Sequence, residues 1–238
     1  MSLEIFVVFH KKIYEENYRD LTETEKKCLT FIAVNENIPK EYDSSRFKVI
    51  KEWEFPIYHP ELQGILKFNE NSVLRHVFEN GRAITDYIGF AQYDMYFPPN
   101  SIQNMIDAIK NTNGEVFFAA EVQNYEFCFF YTWDDFTMVK NYYIFEGLKK
   151  GYELFRNKKI DKNRDFPLLN TYVIPTRVYK EIMPLINHLF QYFMEKQLFE
   201  KDKNLKNIAG IFERVMAFVL GQESDKYGRL PILHIDGI

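Results

Sequence analysis

Cysteine is scarce in this chain. Only Cys28 and Cys128 occur, each inside an apolar run, which predicts two buried thiols rather than a disulfide or a metal centre. Such usage fits a reducing compartment. An excess of one charge is missing too. The net charge is −4, with acids and bases interspersed, so the surface carries no footprint for nucleic acid. No apolar run reaches the about 20 residues that span a bilayer. No basic segment leads into an apolar stretch near Met1, as a secretory signal would. Common catalytic motifs are absent as well: no G-x-x-x-x-G-K-S/T phosphate loop, no G-x-G-x-x-G after a strand, no G-x-S-x-G elbow, no H-E-x-x-H and no C-x-x-C. The five histidines are scattered, which leaves no hydrolase triad to nominate. Internal repeats and low-complexity tracts are lacking.

Aromatic residues, by contrast, are abundant. The 23 Phe and 16 Tyr imply a core built from large side chains, with some rings free to wall a base or a sugar. A length of 238 residues suits one large α/β domain or two small ones.

Read along the chain, strand and helix patterns alternate. Leu3 to Phe9 is an almost continuous apolar strand ending in His10-Lys11-Lys12, a basic end that either faces a diphosphate or is a solvated loop. Thr22-Glu23-Thr24-Glu25 has the form of a capping box opening a short helix. Cys28 to Val34 reads as the second strand, followed by the polar loop Asn35-Glu36-Asn37, and Phe47 to Phe55 as the third. His59 lies in a loop and is given no role. Val73, Leu74, Val77 and Phe78 have helical spacing, with Asn or Ser of Asn69-Glu70-Asn71-Ser72 as the cap and Asn80-Gly81 as the stop. His76 falls between apolar positions and reads as a partly buried, satisfied imidazole.

The chain is organised around the stretch from Thr85 to Phe97. Its first part is apolar on both faces, as expected of an inner strand covered on both sides. Polar groups come only at its C-terminal end, where strand period two puts Gln92 and Asp94 on one face and Tyr93 on the other. Pro98-Pro99 then stops it. Ligands of open α/β sheets sit outside the carboxyl ends of strands, so an acid and an amide stand where such a site belongs.

Beyond it, Ser101 caps a helix that Asn113-Gly114 ends, and Val116 to Ala120 reads as a strand. Glu126 to Tyr131 reads as a further short strand ending at Trp133-Asp134-Asp135. That acidic pair serves either as a base or acceptor clamp or as a helix cap. Met138 to Phe155 reads as an amphipathic helix and Phe166 to Ile174 as a strand. Long helices follow from Thr176 and from Lys206 to Leu220. On the last helix Glu213 and Arg214 sit among apolar residues. They are either partners in a structural ion pair or a carboxylate and a cation directed at the sheet end. Desolvation would raise the Glu213 pKa unless Arg214 offset it, and a raised carboxylate suits proton abstraction near neutral pH.

The segment Tyr87-Ile88-Gly89-Phe90-Ala91-Gln92-Tyr93-Asp94-Met95-Tyr96-Phe97 resembles the central signature of GT-A-like glycosyltransferases of capsular and other surface-polysaccharide pathways. The His-Lys pair after the first strand, the Asn-Ser pair opening the helix before the central strand, and the Phe212-Glu213-Arg214 helix agree with it. Gln92 departs from it, standing where better-known GT-A enzymes carry the first acid of their D-x-D metal motif. The resemblance implies a single GT-A-like domain over residues 1–238, with a mostly parallel central sheet flanked by helices. It implies transfer of a sugar from a nucleotide donor, UDP- or GDP-linked, to a glycan or glycoconjugate acceptor, assisted by Mn²⁺ or Mg²⁺. His10, Lys11, Asn35, Glu36, Gln92 and Arg214 become candidate donor contacts, Asp94 and the C-terminal His234 candidate metal ligands, and Glu213, Asp134 and Asp135 candidate bases. A glycan enzyme of this kind is expected in the cytoplasm, near a membrane only through a partner. Two alternatives stay open. The missing acid at Gln92 allows a non-catalytic binder of sugar nucleotides or glycans. A nucleotidyltransferase would have a similar sheet, but no glycine-rich basic loop follows the first strand.

Overall fold

The structure is a computed structural model, and it describes residues 1–63, 70–130, 147–195, 208–224, 227–230 and 232–234. The first strand, β1 (Leu3–Phe9), pairs in parallel with β2 (Leu29–Ala33) on one side and β4 (Tyr87–Gln92) on the other. A short β3 (Val49–Lys51) extends the β2 edge in parallel. Beyond β4 lie β7 (Phe166–Pro175), antiparallel to its neighbours, then β6 (Phe117–Gln123) and β8 (Tyr227–Arg229). The order is β3-β2-β1-β4-β7-β6-β8, and only β7 runs against the rest. A separate two-stranded ribbon joins β5 (Met95–Tyr96) to β9 (Leu233–His234).

Both faces of this sheet are covered, which is why its inner strands read as unbroken apolar runs. Alternate residues of β1 supply two cores. Phe6 and Val8 join one with Ile88, Phe90, helix α2 (Asn71–Glu79), helix α6 (Thr176–Glu195) and helix α7 (Ile208–Glu223). Ile5, Val7 and Phe9 join the other with Tyr18, Phe31, Phe97 and Ile102, Met105 and Ile109 of helix α3 (Ser101–Asn111). Each fully buried side chain of this kind contributes about 1.5–3 kcal/mol. Gly89 sits where β4 meets Val173 of β7. A Cβ there would lie 2.7 Å from Val173 Cγ2 and 3.0 Å from Ile5 Cγ1, so the centre of the sheet has room for glycine.

The capping box forms at helix α1 (Glu23–Lys26): Glu25 N donates to Thr22 Oγ1, and Thr22 N donates back to Glu25 Oε2. Glu25 Oε1 also accepts from Ile102 N at 3.2 Å and Gln103 N at 3.3 Å, which ties α1 to the first turn of α3.

Three expectations are corrected. Residues expected as a strand from Glu126 form helix α4 (Tyr125–Phe130), because Asn124 caps it: its Oδ1 accepts from Phe127 N at 2.8 Å. An apolar aromatic run has no period that separates strand from helix, and the cap decides. The third strand is shorter than expected, since the chain turns into a 3-10 helix over Glu52–Glu54. The central strand ends at Gln92, and Tyr93 and Asp94 form a turn rather than continuing the alternation. Helix α5 is described over residues 147–156.

Candidate functional site

Parallel strands deliver their polar residues at their carboxyl ends, and here β1, β2 and β4 end side by side. A cleft of about 370 Å³ opens there, lined by Val8, Phe9, His10, Val34, Asn35, Glu70, Gln92, Tyr93 and Asp94. A larger, open depression of about 810 Å³ lies at the opposite, amino end of the central strands, beside Asp86, Lys110, Arg177 and Lys180. The smaller cleft is the better site, because buried ionisable groups gather in it while the cations of the larger one are exposed.

One end of the cleft is basic and aromatic. His10 meets the edge of Tyr93 at 4.9 Å between ring centroids, and Tyr93 stacks on Tyr14 at 5.8 Å. Lys12 Nζ stands 4.3 Å over the Tyr14 ring. Burial, then the charges of Lys40 and Lys11, hold the His10 imidazole below its ordinary pKa, so it is neutral at neutral pH. Lys11 is exposed at the rim. Asn35 follows β2 in a left-handed conformation, φ 61°, and its carbonyl accepts from Ile38 N at 3.0 Å and Lys40 Nζ at 2.7 Å. Glu36 is exposed and does not line the cleft; its charge acts on Tyr58.

The other end is acidic. Helix α2 runs back along the sheet before β4 begins, so its start lies at the end of β4, and Glu70 occupies the N-cap position. Its Oε1 accepts from Gln92 Nε2 at 3.3 Å and from Asn170 Nδ2 at 3.2 Å. Asn170 Nδ2 also donates to Asn71 Oδ1 at 3.2 Å. Although the residue keeps some exposed surface, its carboxyl is deeply desolvated. Burial raises its pKa, and the charges of Glu213 and Asp94 raise it further against the pull of its hydrogen bonds. Glu213 reaches the same region from α7. Burial pushes its pKa up, Arg214 and a hydrogen bond from Leu169 N at 3.2 Å pull it down, and Glu121 raises it again. Leu169 and Asn170 take left-handed conformations, φ 66° and 45°, in the middle of β7, where the pairing with β6 shifts register. That local strain directs Asn170 at Glu70 and the Leu169 amide at Glu213. Arg214 Nη1 is buried without a hydrogen-bond partner among the described residues.

The nominated residues therefore do not all share one place. His10, Asn35, Gln92 and Asp94 line the cleft, and Glu213 acts electrostatically on its Glu70. The backbone of His234 pairs with Met95, the residue after Asp94. Asp134 and Asp135 lie outside the described residues. Sequence reasoning missed Glu70, Asn170 and Lys40. The signal for Glu70 was the helix preceding the central strand, whose start must return to that strand's exit. The signal for Asn170 was an amide inside an apolar strand.

His76 is satisfied as expected, and His59 has more partners than expected. His76 is wholly buried: its Nδ1 lies 2.7 Å from Glu52 Oε1, while its Nε2 accepts from His59 N at 2.9 Å. That acceptor role puts the imidazole proton on Nδ1. His59 is no free loop residue. It stacks on His76 and lies between Glu61 at 3.2 Å and Glu79 at 2.6 Å.

No family model matches this chain, and no curated protein matches it in sequence. Among solved structures it is similar to one described as the apo structure of WbbM, a bifunctional glycosyltransferase. The identity is 13%, the TM-score 0.53, and the match covers 100% of this chain and 46% of that one. A second match is the mannosyltransferase Ktr4p from S. cerevisiae, at 8% identity and a TM-score of 0.40, over 94% of this chain and 67% of that one. The chain thus has the fold of a glycosyltransferase domain and spans about half the length of the WbbM chain. No helix among the described residues is long and apolar enough to cross a membrane.

Proposed function

We propose that this domain transfers a sugar from a nucleotide donor to a glycan or glycoconjugate acceptor. The observation that carries the reading is the polarity of the cleft. It is aromatic and flanked by Lys11 and Lys40 at the ends of β1 and β2, and acidic where the β4 exit, α2 and α7 meet. A nucleoside diphosphate has a planar base and an anionic bridge. Tyr93, Tyr14 and Asn35 suit the base and ribose, and Lys11 suits the bridge. The sugar then lies toward Glu70 and Glu213, whose carboxylates accept hydrogen bonds from its hydroxyls or from the acceptor's.

No group of three or more His, Cys, Asp or Glu side chains among the described residues forms a ready cage for a metal. Mg²⁺ is commonly held by one or two protein carboxylates together with phosphate oxygens. Asp94 and His234 are the residues that would hold it, and a bound ion would supply Lewis-acid stabilisation of the leaving diphosphate. Gln92 is spoken for by Glu70 and holds that carboxylate in place. In an inverting displacement Glu213 takes the proton of the acceptor hydroxyl while its oxygen bonds to the anomeric carbon. The bond from that carbon to the diphosphate oxygen breaks, and the electron pair leaves with the diphosphate. A raised carboxylate suits that proton transfer. An amide at Gln92, bonded to Glu70 where an acid would hold a metal, also suits a binder without turnover, which is the second reading.

The test is a thermal-shift screen of UDP- and GDP-sugars with and without Mn²⁺, followed by product detection with the stabilising donor. A donor that stabilises more with metal, and loses that increment in Asp94→Asn, is the expected result. Metal-dependent binding without hydrolysis or transfer would favour the binder. An Asp94→Asn chain that keeps the full metal increment removes Asp94 from the site.

A further inference from the structure

Lys40 is a partly buried cation beside the cleft, and no anion offsets it among the described residues. It follows β2 on the loop that leaves Asn35. Its Nζ donates to Asn35 O at 2.7 Å and to Ile38 O, and stands 5.4 Å from the centre of the Trp53 ring. An ammonium has three protons. Two are used by these carbonyls, and neither carbonyl carries a compensating charge. No carboxylate lies within ion-pair distance of Lys40 among the described residues. Partial burial accordingly holds its pKa below the ordinary lysine value, with no acid raising it. Three basic side chains of the β2–β3 region differ. Lys48 and Lys51 pair with Glu4 and Glu54, and Arg46 with Glu15. The Lys40 charge is felt at His10, which lines the cleft, and its anchor Asn35 lines the same cleft.

We propose that Lys40 is an anion-binding residue of this cleft: it fixes the left-handed turn at Asn35 and supplies its remaining proton and its charge to the diphosphate of the ligand. The assignment rests on the donor-cleft reading above and gives that reading a residue the sequence did not single out. A half-buried ammonium with two neutral acceptors is desolvated without being neutralised, and an arriving diphosphate removes that penalty. The arrangement is also pre-organised, because the carbonyls and the indole already restrict the lysine side chain. Binding changes the field on Trp53, so the indole is a local reporter.

The experiment is titration of the metal-free chain with inorganic pyrophosphate, UDP and GDP, followed by calorimetry. In parallel, fluorescence is read in a Trp133→Phe background that leaves Trp53 as the only indole. Lys40→Met is expected to weaken all three probes about tenfold or more and to flatten the salt dependence. Lys40→Arg, which keeps the charge, is expected to stay within about threefold of the parent. Pyrophosphate is expected to shift Trp53 emission in the parent. If Lys40→Met does not fold, Lys40→Arg and the Trp53 response decide: binding by calorimetry with silent Trp53 emission overturns the assignment. Unchanged affinity in a folded Lys40→Met chain overturns it too, as does failure of the parent to bind any of the three probes. Lys40-dependent binding without turnover of any sugar nucleotide keeps the anion site and removes the transferase reading. Turnover with unchanged Lys40→Met affinity removes Lys40 alone.

Discussion

Helix α7 carries two glutamates ten residues apart that are treated in opposite ways. Glu223 is met by a cation and a phenol. Arg156 donates from Nε to Oε1 at 2.7 Å and from Nη2 to Oε2 at 2.6 Å, and Tyr152 OH adds a bond at 2.6 Å. Burial pushes its pKa up, but these partners prevail and hold it low. Glu213 has one backbone amide and the charge of Arg214, and burial prevails. Residue type, helix and partial burial are shared, so they do not separate a structural acid from a reactive one. What separates them is whether the fold supplies a full set of donors. Glu223 ties α5 to the end of α7. Glu213 lacks such a set: its carboxylate has the Leu169 amide and the charge of Arg214.

The comparison breaks most visibly at Arg156. Its side chain is 22% exposed and that of Glu223 only 9%, so Arg156→Met strands a nearly buried carboxylate. The expected loss is about 3 kcal/mol in a urea unfolding curve, near the low end for a broken buried pair because Arg156 is still partly solvated. Glu213→Gln, an amide of the same shape in a site that disfavours charge, is expected to leave stability unchanged or slightly higher. A loss of stability in Glu213→Gln as large as that in Arg156→Met would make Glu213 a structural acid as well.

Catalysis sharpens the same contrast. If Glu213 takes the acceptor proton, Glu213→Gln lowers kcat about a hundredfold or more and leaves donor affinity within about twofold. Glu223→Gln changes neither constant beyond what its stability cost explains. Near-normal turnover in Glu213→Gln would move the base to Asp134 or Asp135, or point to a retaining mechanism that needs no such base.

Much of the fold is legible in the sequence, and for one reason. β1, β2 and β4 are covered on both faces, so each reads as an apolar run ending abruptly in polar residues, and those ends are where the cleft is. The acidic end was less legible. Glu70 occurs in a polar stretch that reads as a helix cap, and nothing local shows that the helix start faces the exit of the next strand. Asn170 depends on a left-handed pair inside β7, a conformation Leu169 and Asn170 do not announce. Lys40 has no period and no motif; what sets it apart is partial burial against two backbone carbonyls, which only the folded loop shows. Helix α4 was misread because its aromatic run fits either element and the deciding cap, Asn124, precedes it.

The smallest effect is the most specific, because it tests the electrostatics of the two glutamates and not their chemistry. Glu223 has a folded pKa below the ordinary 4.5. Its ionised form is favoured by folding, so its contribution is complete above 4.5 and disappears as pH falls through the lower folded value. Glu213 has a folded pKa above 4.5. Its protonated form is favoured by folding, so its contribution is complete below 4.5 and is lost as pH rises through the higher folded value. Each slope is at most about 1.4 kcal/mol per pH unit inside its window and zero outside it. Stability of the parent relative to Glu223→Gln is therefore expected to rise with pH below 4.5 and then level off. Relative to Glu213→Gln it is expected to be level below 4.5 and to fall above it. Urea midpoints for the three chains across the acid and neutral range give both differences. Two curves of the same sign would mean that Arg214 and the Leu169 amide neutralise Glu213 as fully as Arg156 and Tyr152 neutralise Glu223, and Glu213 would then have no raised proton affinity to offer an acceptor hydroxyl.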